Sequence, residues 1–213
     1  MSQYDYKPEY KRNLPHIQPP GATLFVTIRL AGSIPKEVLA QLKDEAEERE
    51  RVIRQTAVST QQYQYLYEEQ KRQFGRWDEI LDSAEHGPHW LSQPEIAAIV
   101  INSLHFLDGD VYDLDVFCVM SNHAHVVLTP LEKENGSYHA LQTIMHSLKR
   151  HTAREANKVL GRKGAFWQHE SYDHVVRNRD EWERIVKYVL NNPVKAGLVE
   201  KWEDWPHTFL KEP

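Results

Sequence analysis

Residues 119–130 read VMSNHAHVVLTP. A β-strand repeats every two residues, so His123 and His125 point to one face and Ala124, Val126 and Leu128 to the other. The second set is apolar and reads as core. Just before it, residues 112–120, YDLDVFCVM, have the composition of another strand, and Ser121-Asn122 between them reads as a tight turn. The stretch therefore predicts a β-hairpin in an antiparallel sheet. Two imidazoles side by side on the face opposite the core can hold a cation, or they can be ordinary histidines on a wet surface. The alternation predicts that this face is exposed.

The elements around the hairpin follow from the same rules. Residues 22–30, ATLFVTIRL, are a strand bounded by Gly21 and Gly32. Residues 92–107, SQPEIAAIVINSLHFL, open with Ser92 and Glu95 at capping-box spacing and Pro94 in the first turn, so a largely buried helix is expected. Residues 138–161 form an amphipathic pattern closed by Gly161. Residues 165–178 are mixed and predict a short strand or loop. Residues 180–193, DEWERIVKYVLNNP, predict a last helix stopped by Pro193. Strand, helix, strand, strand, helix, short strand, helix is the order of an α+β fold: an antiparallel sheet with packed helices. The chain reads as a single domain, 1–213, with 36–90 as a helical insertion. Ser59 or Thr60 suits a cap between two charged helices there, and the insertion reads as a solvated structural addition. Residues 1–20 read as an extended arm.

The chain has 213 residues, 40% apolar and 27% charged, with a net charge of -5. One cysteine excludes an internal disulfide and a cysteine-based zinc site. No apolar run is long enough to span a membrane, and no apolar leader is visible, so a soluble cytoplasmic protein is expected. The acidic total argues against nucleic-acid binding, but the charge is unevenly spread. Lys149, Arg150, Arg154, Lys158, Arg162 and Lys163 face only Glu155 on the helix ending near 163. That is a solvated face or a phosphate-binding one. Trp167, Tyr172, Asp173, His174 and Arg177 interleave aromatic and polar groups, which suits either core packing or stacking on unpaired bases. On the last helix Trp182, Ile185, Val186, Val189 and Leu190 share a face. Tyr188 and Asn192, four apart, lie one above the other at its margin.

In order, VMSNHAHVVLTP, FWQHESYDHVVRN (166–178) and YVLNNPVKAGLV (188–199) resemble the successive signatures of the REP-associated tyrosine transposases. These are single-tyrosine HUH transposases of the insertion-sequence type. PPGATLFVTIRLAG (19–32) resembles that family's first strand, so the resemblance spans roughly 15–30 and 90–205. It implies an HUH-endonuclease, ferredoxin-like arrangement. It implies His123 and His125 as the two histidines of the motif, Asn192 as a third metal ligand with Asn191 as competitor, and Tyr188 as the nucleophile. A divalent cation, Mg²⁺ or Mn²⁺, follows; imidazole ligands favour Mn²⁺. The implied activity is nicking and strand transfer of single-stranded DNA at hairpins through a 5′-phosphotyrosine, by a monomer or homodimer. A DNA-hairpin-binding protein of the same fold that no longer cuts is the alternative. Lys149, Arg150, Arg154, Trp167 and Arg177 are the expected DNA contacts, on charge and aromaticity alone. Tyr172, beside Asp173 and His174, competes with Tyr188 for the nucleophile's role.

Overall fold

The computed structural model describes residues 9–11, 15–17 and 19–212. Of the expected arm, β1 (Glu9–Lys11) and β2 (Pro15–Ile17) pair as an antiparallel ribbon, and residues 1–8, 12–14 and 18 lie outside the described residues. Then follow β3 (Leu24–Arg29), α1 (Lys36–Thr56), α2 (Ser59–Ser83), α3 (Pro94–Leu107), β4 (Tyr112–Val119), β5 (His123–Pro130), α4 (Leu141–Val159), β6 (Tyr172–Val175), α5 (Arg179–Lys195) and β7 (Thr208–Leu210).

Five strands form one sheet in the order β6-β3-β5-β4-β7, and every pairing is antiparallel. The expected α+β arrangement is the observed one, with helices on both faces. Leu24, Val26 and Ile28 of β3 and Ala124, Val126 and Leu128 of β5 pack against α3 and α4. Phe25, Val127 and Cys118 pack against Val186, Val189 and Leu190 of α5. On β4 the parity changes midway: Tyr112 and Leu114, then Phe117 and Val119, face α3 and α4. The cause is a register shift between Leu114 and Val116, a β-bulge that turns Asp115 toward α5. There its carboxylate accepts the Trp182 indole N–H at 2.7 Å.

Some local signals lost to tertiary packing. Gln93, not Ser92, precedes α3, with no side-chain cap, because the Ser92 hydroxyl turns back to donate to His89 O at 2.7 Å. Val58 holds the cap position of α2, so Ser59 and Thr60 begin the helix itself. Pro193 does not stop α5, which runs on to Lys195. Proline removes one backbone donor and crowds the preceding turn, but Pro193 is buried and its packing outweighs that cost. The strand β7 was not legible, since three residues are too few to show an alternation. Gly161, at φ +61°, follows α4 as expected.

The segment 36–83 is an antiparallel helical pair, tied by Arg49 to Glu69 at 3.4 Å and by Arg76 to Glu45. Leu42 is the buried residue of α1. The α2 side is different: Glu69, Asp78 and Leu81 are buried. Its far end is pinned where Gly87 meets the end of β3. A Cβ on Gly87 would fall 2.2 Å from Gly32 O, so only glycine permits that approach.

Candidate metal centre and tyrosine site

His123 and His125 stand on a central strand, facing α5, but the face is not exposed. Both histidines have no solvent exposure. The expectation of a wet surface is corrected: α5 crosses this face and the last turns of α2 cover the rest. His125 Nε2 lies 3.3 Å from Asp78 Oδ1 and His123 Nε2 lies 3.8 Å from Asp82 Oδ1.

The hydrogen bonds fix one tautomer of the pair. Asn122 Nδ2 donates to Leu81 O at 3.0 Å. Its Oδ1 therefore faces His123 Nδ1, at 2.6 Å, and Nδ1 carries the proton. Thr27, paired with His125 across the strands, places Oγ1 2.8 Å from His125 Nδ1, and this hydroxyl serves as donor or acceptor. The two Nε2 atoms meet at 3.0 Å, where His123 presents a lone pair. Burial pushes His123 down to about 3, helped by the Lys195 charge. Burial also holds His125 well below its ordinary value, with His123 and Lys195 adding to it. Both rings are neutral, so neither contact with an aspartate is an ion pair. Burial, then repulsion from Asp82, pushes Asp78 up to about 8. Asp82 is raised by burial as well, against the opposing pull of Lys195, whose Nζ lies 2.8 Å from Asp82 Oδ2.

This donor set fits a divalent cation. One ligand atom each from Asp78, Asp82, His123 and His125 lies within 4.8 Å of the others. Asp78 Oδ1, Asp82 Oδ1 and Asn192 Oδ1 are buried without a hydrogen-bond partner. Buried polar atoms are almost always partnered, and three such oxygens beside the two imidazoles suit a positive centre. The donors are imidazole nitrogen and carboxylate or amide oxygen, a set suited to first-row divalent ions. Asn192 is buried and its Nδ2 lies 3.2 Å from His125 Nε2; a flip of the amide would present Oδ1 instead. Asn191 is exposed.

Sequence reasoning missed Asp78, Asp82 and Asn122. A signal existed for the aspartates: WDEILD (77–82) sets two acids four apart beside apolar residues, hence on one helix face. Nothing local told that this face would meet the histidines. Asn122 had been read as a turn residue only.

Tyr188 sits one turn before Asn192. Its ring centroid lies 5.5 Å from that of His125, and its hydroxyl is buried without a hydrogen-bond partner. Tyr172 instead stacks on Phe74 at 4.0 Å, and burial drives its phenol far above the ordinary range. Of the residues expected to touch DNA, Lys149, Arg150 and Trp167 line one cleft between α4 and the segment 164–173, and Arg154 and Arg177 do not line it. Arg150 and Arg154 are exposed on α4, with Arg154 bonded to Glu155 at 2.7 Å. Lys149 Nζ donates to Gln168 O and Ser171 Oγ at 3.0 and 2.7 Å. Arg177 caps the Tyr67 ring at 3.5 Å. Trp167 is 7% exposed and its indole N–H donates to Thr152 Oγ1 at 2.8 Å. Its ring packs in the core, which leaves little of it to the cleft.

No protein-family model matches the chain. A REP-associated tyrosine transposase of Escherichia coli strain K12 is 26% identical over 102 residues, 47% of this chain and 56% of that protein. A Haemophilus influenzae protein with the same family designation is 22% identical over 102 residues, 46% of this chain and 58% of its own length. The chain resembles the REP-associated tyrosine transposases. It spans little more than half the length of these curated relatives. In three dimensions, a solved REP-associated tyrosine transposase bound to a REP hairpin shares its fold, with a TM-score of 0.51 and 17% identity over 94% of this chain and 81% of that one. Among the described residues, no helix is long and apolar enough to cross a membrane.

Proposed function

We propose that this protein is a metal-dependent, single-tyrosine strand transferase acting on single-stranded DNA at hairpin sequences. The observation that carries the reading is the convergence of a phenol and a cation-shaped donor set at one buried point. Tyr188 hydroxyl, Asn192 Oδ1, Asp78 Oδ1 and Asp82 Oδ1 all lack hydrogen-bond partners there, in a chain similar to hairpin-associated transposases.

His123 and His125 would hold Mg²⁺ or Mn²⁺, with Asp78, Asp82 and Asn192 as further ligands. Such a cation would supply charge neutralisation of a scissile phosphate for in-line attack. The rest is done by the chain. The backbone of α5 fixes Tyr188 one turn from Asn192, so nucleophile and phosphate site are set by one rigid element. Tyr188 oxygen bonds to phosphorus and loses its proton; the bond from phosphorus to the 3′-oxygen breaks, and that oxygen takes up a proton as it leaves. The product is a 5′-phosphotyrosine and a free 3′-hydroxyl. Attack by a 3′-hydroxyl on that phosphotyrosine rejoins a strand with no other energy source. Arg150, Arg154 and Arg177 supply phosphate contacts. Lys149 and Trp167 serve the same surface indirectly, by tethering the 168–171 loop and its base.

The test is incubation with end-labelled hairpin oligonucleotides and Mn²⁺, followed by a denaturing gel. A slow-migrating, protease-sensitive adduct is expected. Tight hairpin binding with no adduct under any divalent ion would replace this reading with a binding protein of the same fold.

A further inference from the structure

Asp78, His123, His125, Asn192 and the Tyr188 hydroxyl are buried, so a strand needs a way in. A cleft of about 320 Å³ lies between α2 and α5, within the roughly 300–1,000 Å³ usual for ligand sites. Both Tyr188 and Asp78 line it, so it opens directly onto the site. We propose that this cleft, walled on one side by the helical insertion, is the seat of the unpaired strand on its way to Tyr188. The proposal rests on the function proposed above.

Three features choose that occupant. First, the floor is aromatic: Phe74 and Tyr172 stack on each other and lie beside Tyr188. Second, among walls that also carry Glu79 and Glu181, exposed cations stand on opposite sides, Lys71 on α2 and Arg184 on α5, and among the described residues neither forms an ion pair. An aromatic floor with a cation on each wall matches bases turned inward with phosphates outside. A duplex cannot present this way, because its bases face each other; an unpaired strand can. Third, α2 keeps the wall low at one point. Lys71, Phe74, Gly75, Asp78 and Asp82 fall on one stripe of the helix by their spacing. Glycine is a poor choice inside a helix, yet a Cβ at Gly75 would meet nothing within 4 Å. The position is open, lines the cleft and has no packing reason to be glycine. The insertion therefore does more than decorate the fold: it supplies two metal-binding carboxylates and one wall of the strand path.

Gly75→Trp tests this. The Cβ meets no neighbour and the new side chain starts from a position that lines the cleft, so thermal stability and the Mn²⁺-induced stabilisation should be retained. Affinity for a fluorescent hairpin oligonucleotide with an unpaired tail should fall at least tenfold by anisotropy, and adduct yield with it. Val52→Trp, on the exposed side of α1, is the bulk control and should bind as wild type. If Gly75→Trp fails to fold, the charge reversals Lys71→Glu with Arg184→Glu carry the test, with the same expected loss. Wild-type adduct formation together with unchanged binding and adduct in these variants would overturn the cleft while leaving the function standing. Loss of single-strand binding in Gly75→Trp, where wild type binds but forms no adduct, would leave the cleft and overturn the strand transfer. A wild-type protein that binds no single-stranded oligonucleotide overturns both.

Discussion

His123 Nε2 and His125 Nε2 face each other at 3.0 Å, and Asn122 holds the His123 proton on the far nitrogen. On the other side Thr27 Oγ1 lies 2.8 Å from His125 Nδ1 and can accept its proton. Both Nε2 atoms can then turn a lone pair on one cation. A metal-ligating histidine ordinarily has its other nitrogen oriented in this way.

Metal should therefore stabilise the protein strongly. At 100 times Kd of free Mn²⁺, linkage gives about 2.7 kcal/mol, a Tm rise of roughly 5–11 °C for a chain of this size. EDTA should reverse it. Asp78→Asn should be as stable as wild type without metal, or more so, because it removes a buried carboxyl beside a second one. It should lose most of the Mn²⁺ response in differential scanning fluorimetry. A full response in that variant would remove α2 from the metal shell.

Asn122→Ala should act on the metal through His123. It leaves Leu81 O and His123 Nδ1 without their partner, which costs about 1–3 kcal/mol. It also frees the imidazole to change tautomer, so Mn²⁺ affinity should fall about 10–100-fold. Chemical denaturation and a Mn²⁺ titration measure the two effects separately.

The nucleophile assignment separates two tyrosines. Tyr188→Phe removes a hydroxyl that has no partner, so stability should change by less than about 0.5 kcal/mol and hairpin affinity should be kept. The covalent adduct should vanish. Tyr172→Phe should still form it, since that ring is committed to Phe74. An adduct that persists in Tyr188→Phe and disappears in Tyr172→Phe would reverse the assignment.

Arg150→Ala with Arg154→Ala should weaken binding alike for all sequences and lower the salt slope by about 0.7 per lost contact on a single strand. Stability should be unaffected, because both side chains are exposed. Lys149→Ala should differ by lowering Tm, since it releases the 168–171 loop. An unchanged slope in the double variant would place the strand elsewhere.

Trp167→Phe should cost about 1 kcal/mol by removing the hydrogen bond to Thr152, and leave the affinity for single strands intact. A large affinity loss at unchanged Tm would restore the indole to the DNA surface.

Much of this fold was legible because it is written in short-range patterns. The alternation across His123–Leu128 assigned a strand and its two faces, and the glycine-bounded run 22–30 assigned another strand. The apolar stripe of 182–190 assigned α5, and the spacing of Tyr188 and Asn192 put them on one edge of it. Backbone period dictates such relations, and tertiary contact does not disturb them. Other features were decided by residues distant in sequence. The histidine face is buried because α5 and α2 close over it, and strand alternation says only which residues share a face, not what covers it. Pro193 stays within α5 because burial outweighs a lost donor, and the two helical residues beyond it bring Lys195 to Asp82. The same packing sends Trp167 inward, where composition alone allowed either core or surface. Asp78 and Asp82 meet His123 and His125 across more than forty residues because Gly87 lets the chain approach β3 and Asn122 holds Leu81 O. Their pairing depends on where two surfaces dock, and no local propensity encodes that.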